Sequence, residues 1–247
     1  MPEYVGAEVS PRAQLEENVR VGPGSVVYEN VRIGRDTTIG EHCVIGVPAK
    51  GAPPLTIGAG STVRSHTVMY QGAELGAKFE SGHHAIVRSG VHAGKNLRLG
   101  SYSSLEGDLD IGDFVRIHGY SQVGQGSEIG SFVWIFSLCT LTNDPLPPSN
   151  LSRPVVIEDG GVVCVGVILM PGARVGKGAL VAAGARVSGD LPAGRVMTAD
   201  GEVAGRVDRL VDLETGARHP FMRHYASAYP AEAQQGLLEL LEEIATL

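Results

Sequence analysis

The sequence predicts an all-β fold, a parallel β-helix wound as a triangular prism, and three observations carry that prediction. Stepping by six from Val9 to Leu141, twenty of the 23 positions are Val, Ile, Leu or Met. Such residues number 67 in the 247-residue chain, so chance alone would give roughly six. Glycine follows the aliphatic residue at Gly34, Gly40, Gly46, Gly58, Gly112 and Gly130. Finally, 34 glycines accompany only 5% aromatic residues, a composition suited to a narrow interior and many tight corners.

A period of six matches neither a helix nor an alternating strand. It fits short strands that each place one aliphatic residue inward before the chain turns. Three faces then make a coil of 18 residues, and successive coils pair like neighbouring strands roughly 4.8 Å apart. The rhythm breaks between Leu141 and Ile157, 16 steps on, so TNDPLPPSNLSRPVV (142–156) should leave the prism as a loop. Its prolines cannot donate to a ladder. VPAKGAPPLT (47–56) keeps phase and reads as a distorted coil. The rhythm resumes through Ile157, Val163, Leu169, Val175, Val181 and Val187 and is lost after about residue 192. This divides the chain into a β-helix domain, 1–195, and a C-terminal tail with an α-helix, 196–247. In the helix, Leu237, Leu238, Leu241 and Ile244 form the apolar stripe.

With a net charge of −7 and scattered Lys and Arg, the chain lacks the basic patch that nucleic acid requires. No apolar run is long enough to span a bilayer, and the N-terminal residues lack a secretory pattern. No membrane contact and a cytoplasmic location are therefore expected. Cys43, Cys139 and Cys164 lack a CxxC spacing and read as small interior residues.

Residues one coil apart should stand above one another. His66, His84, Tyr102 and Tyr120 are successive 18-residue steps in one column. Beside it fall Arg64 with His118, 54 residues on, and Ser65 with His83 and Ser101. Imidazole is the commonest general base near neutral pH, although exposed corners also collect polar residues without function. Ser81 interrupts the aliphatic ladder just before His83 and His84.

The hexapeptide rhythm, FVWIF followed by the TNDPLPPS loop, and PGARVGKGALVAAGARV resemble the hexapeptide-repeat acyltransferases over residues 9–195. Sugar-nucleotide N-acetyltransferases of that family carry segments similar to SGHHAIVRSG and TNDPLPP. The resemblance implies a left-handed coil, a homotrimer, and acetyl-CoA as co-substrate in a groove between subunits, with no metal. It implies cofactor contacts at Gly166, Ala182, Ala183 and Gly184, with Lys177, Arg186 and Arg195 available to CoA phosphates. MTADGEVAG (197–205) departs from the N-P-A-[RK] segment that often ends such chains.

On this reading an amino group of a nucleotide-linked sugar attacks the thioester directly. His84 accepts its proton, with His83 as the substitute, and Asn143 or Asp144 positions the acceptor or the imidazole. Arg64, His66 and His118 contact the acceptor. A sugar hydroxyl or a natural-product amine is the alternative acceptor. Two readings of another class are a γ-type carbonic anhydrase, which needs three histidines on a metal, and a β-helix scaffold without chemistry.

Overall fold

The computed structural model describes residues 4–211, 216 and 226–247. The C-terminal tail expected at 196–247 therefore lies partly outside the described residues, at 212–215 and 217–225. Two parallel sheets of ten strands and a third of eleven form the three faces of a prism. We call them the first face, beginning at Glu8–Val9, the second, beginning at Gln14–Leu15, and the third, beginning at Arg20–Val21. Most strands are two or three residues long, because the chain turns a corner directly after each inward rung.

The expected ladder residues form the core. Ile33, Ile39, Ile45, Ile57, Met69, Leu75, Leu99 and Leu105 are each no more than 1% exposed. Registers such as Val87 opposite Leu105 and Leu99 opposite Ile117 show the 18-residue step directly. A second inward residue two positions earlier, such as Val19, Phe79, Leu97 or Val115, completes the interior around each rung. The outer position after the rung brings adjacent backbones close together: a Cβ on Gly100 would stand 2.2 Å from the amide nitrogen of Gly119.

Two departures from the expected geometry matter. Val31, Arg32 and Ile33 pair with Leu55, Thr56 and Ile57, a step of 24 residues. Residues 48–54 therefore leave the prism and Gly51, exposed, is not a rung of the ladder. The rhythm survives because the excursion adds six residues, one full hexapeptide. At the other end Val175 pairs with Leu191, 16 residues on. This shortened corner disguises a further rung, Met197, which pairs with Val181. Val203–Arg206 then adds to the third face antiparallel. The second excursion spans 142–155, since Val156 and Ile157 are already back in strand; both excursions leave at the corner between the first and second faces.

Helix α1, Ala231–Thr246, packs against the third face. Leu237 and Leu240 are buried against Phe114, Phe132, Trp134, Val162 and Leu180, with Leu241 and Ile244 partly covered. Leu238, expected in the stripe, is 44% exposed; the buried set 237, 240, 241 and 244 follows the three- and four-residue spacing of one helix face. Lys78 and Glu232 pair at 2.7 Å and Lys177 and Glu243 at 2.6 Å. Exposed pairs of this kind contribute about 0–1 kcal/mol each, so apolar contact is the main term in docking. No helix among the described residues is long and apolar enough to cross a membrane.

Truncating Leu105, fully buried on the first-face ladder, to alanine should lower unfolding free energy by about 2–5 kcal/mol. Thr38→Ala, outward and exposed on the third face, should cost less than about 1 kcal/mol. Urea denaturation of the two variants checks the inward and outward assignment; equal losses would contradict it.

Candidate functional site

Each turn from the third face to the first passes through one residue with positive φ. His42, His66, His84, Tyr102, Tyr120 and Leu138 occupy this place at φ between 54° and 64°, followed by Gly166 and Gly184 at 70° and 73°. The left-handed conformation costs a residue bearing a Cβ roughly 1 kcal/mol. Hydrogen bonds between coils offset it, such as His84 N–H to the Ser65 carbonyl at 3.1 Å and Tyr102 N–H to the His83 carbonyl at 2.9 Å.

The rings at these turns stack from His66 to Tyr120, and His42 lies tilted against His66. Centroid separations are 5.1 Å for His42–His66, 4.6 Å for His66–His84, 4.8 Å for His84–Tyr102 and 5.0 Å for Tyr102–Tyr120. The column expected from His66 to Tyr120 is present, and it extends to His42. That residue escapes the 18-residue rule because the 48–54 excursion lengthens its coil to 24.

His83 stands one residue before the column, exposed. Its Nδ1 lies 2.8 Å from the Ser65 hydroxyl, and its backbone N–H donates to the Ser101 hydroxyl at 3.0 Å. With Nδ1 protonated and donating to Ser65, Nε2 carries the free lone pair. His84 is instead held by ring stacking on both sides. Of the two imidazoles, His83 has the orienting hydrogen bond. Ser81 is fully buried; its hydroxyl accepts from the Arg64 amide at 2.9 Å and lies 3.1 Å from that of Thr67. It braces the corner from inside.

Beside this ridge, on the third face, lies a pocket of about 370 Å³. Arg64, Glu80, Arg98, Arg116, His118 and Trp134 are its principal side chains, and Ala228 closes one edge. Gly82 and Ser101 also line it, which puts His83 at its rim. Glu80 bridges Arg64 at 2.5 Å and Arg98 at 3.4 Å. His118 packs against Phe136 and Trp134, with centroids 4.7 and 5.6 Å away, and desolvation there pushes its pKa down. Glu80, Arg98, Arg116 and Trp134 are successive 18-residue steps, so the spacing that aligns the histidines also locates the two arginines that the sequence reading passed over.

A larger hollow of about 1030 Å³ lies along the second face, where Glu74, Asp110, Glu128 and Glu158 dominate the ionisable side chains. It lacks the convergence of oriented imidazole and arginines that marks the smaller pocket.

Several expected site residues lie elsewhere. Asn143 and Asp144 are on the excursion between the first and second faces, across the first face from His83 and His84. Asp144 accepts from the Leu146 amide at 2.9 Å and from the Ser149 amide and hydroxyl at 2.8 and 2.6 Å. These bonds, the Ser149 hydroxyl first, hold its carboxyl below the usual range. One chain therefore does not join Asp144 to His84, because its carboxylate is engaged in ordering its own loop. Lys177 is likewise drawn to Glu243 of helix α1, at the corner between the second and third faces, where Gly194 N–H bonds its carbonyl and Arg195 follows. Neither basic residue adjoins Gly166, Ala182, Ala183 and Gly184; Arg186 does, on the next strand. A Cβ on Gly166 or Gly184 would meet nothing within 4 Å, so this end of the corner is a bare strip of backbone.

His66 and His84 stack face to face rather than converging, and His118 stands on another column. No group of three or more His, Cys, Asp or Glu able to hold a metal ion is found among the described residues. Cys43 and Cys139 are buried and Cys164 is half-buried; burial pushes the Cys139 thiol up to about 11.

Residues 12–46 match the family described as bacterial transferase hexapeptide (six repeats). A 51-residue stretch is 51% identical to 2,3,4,5-tetrahydropyridine-2,6-dicarboxylate N-acetyltransferase of Staphylococcus aureus strain JH9, covering 21% of this chain and 20% of that protein. The same figures hold for strain Newman. The match thus spans about a fifth of these relatives' length. Among solved structures, an Arabidopsis UDP-N-acetylglucosamine acyltransferase superposes with a TM-score of 0.67 at 16% identity, covering 95% of this chain and 91% of its own. The fold is the left-handed parallel β-helix. The chain is built from hexapeptide repeats; it shares one stretch with an N-acetyltransferase and its fold with an acyltransferase.

Because the His118 pKa is depressed in the folded state, the unfolded chain binds the proton more readily. The stabilisation is full above the unfolded value near 6.5 and is lost as pH falls through the native one. Wild type should therefore lose more stability between pH 7.5 and 5.5 than His118→Gln, read as the shift in urea midpoint; parallel shifts would contradict the assignment.

Proposed function

We propose that the protein transfers an acyl group, acetyl in the simplest case, from acyl-CoA to the amino group of a small acceptor. A nucleotide-linked amino sugar is the acceptor we favour. The observation that carries this reading is His83, its imidazole oriented by Ser65 at the rim of an arginine-lined pocket. The acceptor nitrogen attacks the thioester carbonyl, a C–N bond forms, and His83 Nε2 takes the nitrogen's proton. When the C–S bond breaks, that proton goes to the departing thiolate. His83 therefore replaces His84 as the base; His84, gripped between His66 and Tyr102, positions the corner. Arg64 and His118 hold the acceptor, His118 as a neutral imidazole able to accept a hydrogen bond.

The bare strip at Gly166, Ala182, Ala183 and Gly184 offers the thioester arm a bed, with Arg186 for its phosphates. We further propose a homotrimer. Val26, Val44, Val68 and Ile86 form an apolar outer stripe on the first face, and Tyr102 and Tyr120 are 53% and 61% exposed beside it. A second copy on this surface could bring its own Asn143 and Asp144 toward His83. The 51-residue stretch, 51% identical to an N-acetyltransferase, and the fold shared with an acyltransferase support the same reaction class.

Calorimetric titration with acetyl-CoA tests the reading, with His83→Ala and His84→Ala in parallel. All three proteins should bind it within a few-fold of one another. Turnover of an amino-sugar nucleotide should fall about 10²-fold or more in His83→Ala and less than tenfold in His84→Ala. Absence of saturable binding to acetyl-CoA and CoA would overturn the proposal.

A further inference from the structure

Arg116 is the one charged side chain among the buried described residues, at 3% exposure. Its terminal nitrogens donate to the Asn96 carbonyl at 2.6 Å, the Val115 carbonyl at 3.1 Å and Asn96 Oδ1 at 2.6 Å. Its guanidinium lies 4.7 Å over the ring of Tyr229. All of these partners are neutral, and Nε has no hydrogen-bond partner. Desolvation brings its pKa down to about 10, so it stays charged at neutral pH. A buried cation with no direct ion pair is unfavourable; Glu80, the carboxylate in the same pocket, acts on it only at a distance and pairs directly with Arg64 and Arg98. Three arginines thus face one carboxylate in a cavity of about 370 Å³, on a chain whose overall charge is −7. The local sign is opposite to the global one, and the imbalance is greatest where solvent is least able to screen it.

We propose that this pocket is an oxyanion site: it takes the carboxylate or phosphate group of a small ligand, with Arg98 and Arg64 as reachable donors and Arg116 as the buried positive charge. Guanidinium groups suit planar, two-point recognition of either group, and Trp134 supplies an apolar wall for the attached carbon skeleton. This inference deepens the proposed function, on which it rests, by giving the acceptor an acid group close to the nitrogen that reacts at the His83 rim. Compensating the buried charge would also couple ligand binding to the seating of Tyr229, the residue that leads into helix α1.

Calorimetry at constant ionic strength, with inorganic pyrophosphate and with glutarate as probes, tests the site without any thioester. Saturable binding of at least one probe is expected, and the better of the two identifies the acid group as phosphate or carboxylate. Arg98→Gln, a half-exposed position, should weaken that binding tenfold or more. Glu80→Gln, which removes the competing carboxylate, should tighten it several-fold. Arg32→Gln on the second face is the charge-matched control and should leave it unchanged. Arg116→Met should abolish binding; should that variant not fold, Arg98→Gln and Glu80→Gln decide. No saturable binding by either probe, or equal affinity in wild type and Arg98→Gln, would overturn the proposal and leave Arg116 as a support for Tyr229. Anion binding without acetyl-CoA binding would preserve this site while removing the acyltransferase reading; acetyl-CoA turnover without anion binding would do the reverse.

Discussion

The hydrogen bonding of each coil to the next is the constraint on which the structure depends. It fixes the axial step, obliges every face to carry the same register, and leaves the chain only its corners for relief. Positive φ at a residue such as His84 or Tyr120 is tolerated because the same residue's amide is satisfied by the coil before it. Side chains at equivalent corner positions are consequently held about one strand spacing apart, close enough for rings to stack. The functional surface is thus arranged in columns rather than in local sequence motifs.

Columns explain both what could be read from the sequence and what could not. The inward rungs are legible because each short strand places one rung at the same point before its corner, which repeats every six positions. The His66–Tyr120 column is legible by the same arithmetic. His42 was hidden by an excursion that adds one whole hexapeptide and therefore leaves the downstream rhythm untouched. Met197 was hidden for the opposite reason, a corner two residues short in an otherwise continuing prism. The outward register of α1 follows from packing on Phe132 and Trp134, which no property of the helix alone specifies; this is why Leu240 rather than Leu238 is buried.

The candidate site was legible as a place more than as a set of roles. Spacing brings Arg64, His83 and His118 to one side of the prism, but it does not distinguish a ring held by a hydroxyl from one held by its neighbours' faces. That distinction, between His83 with Ser65 and His84 with His66 and Tyr102, needs atomic positions. Asn143 and Asp144 are separated from these histidines by the width of a face, and the side chain of Asp144 is spent on its own turn. Ionisable groups with contrasting surroundings remain on the third face: exposed His83, desolvated His118 and buried Arg116.

The string of corner residues also gives the edge of the prism a profile. From His42 to Tyr120 it is a ridge of rings, at Leu138 it narrows to a branched side chain, and at Gly166 and Gly184 it is bare. A linear molecule laid along this edge from the C-terminal coils therefore meets a stop where the side chains rise. The edge is directional, and its end-stop lies beside the coils that carry the third-face pocket.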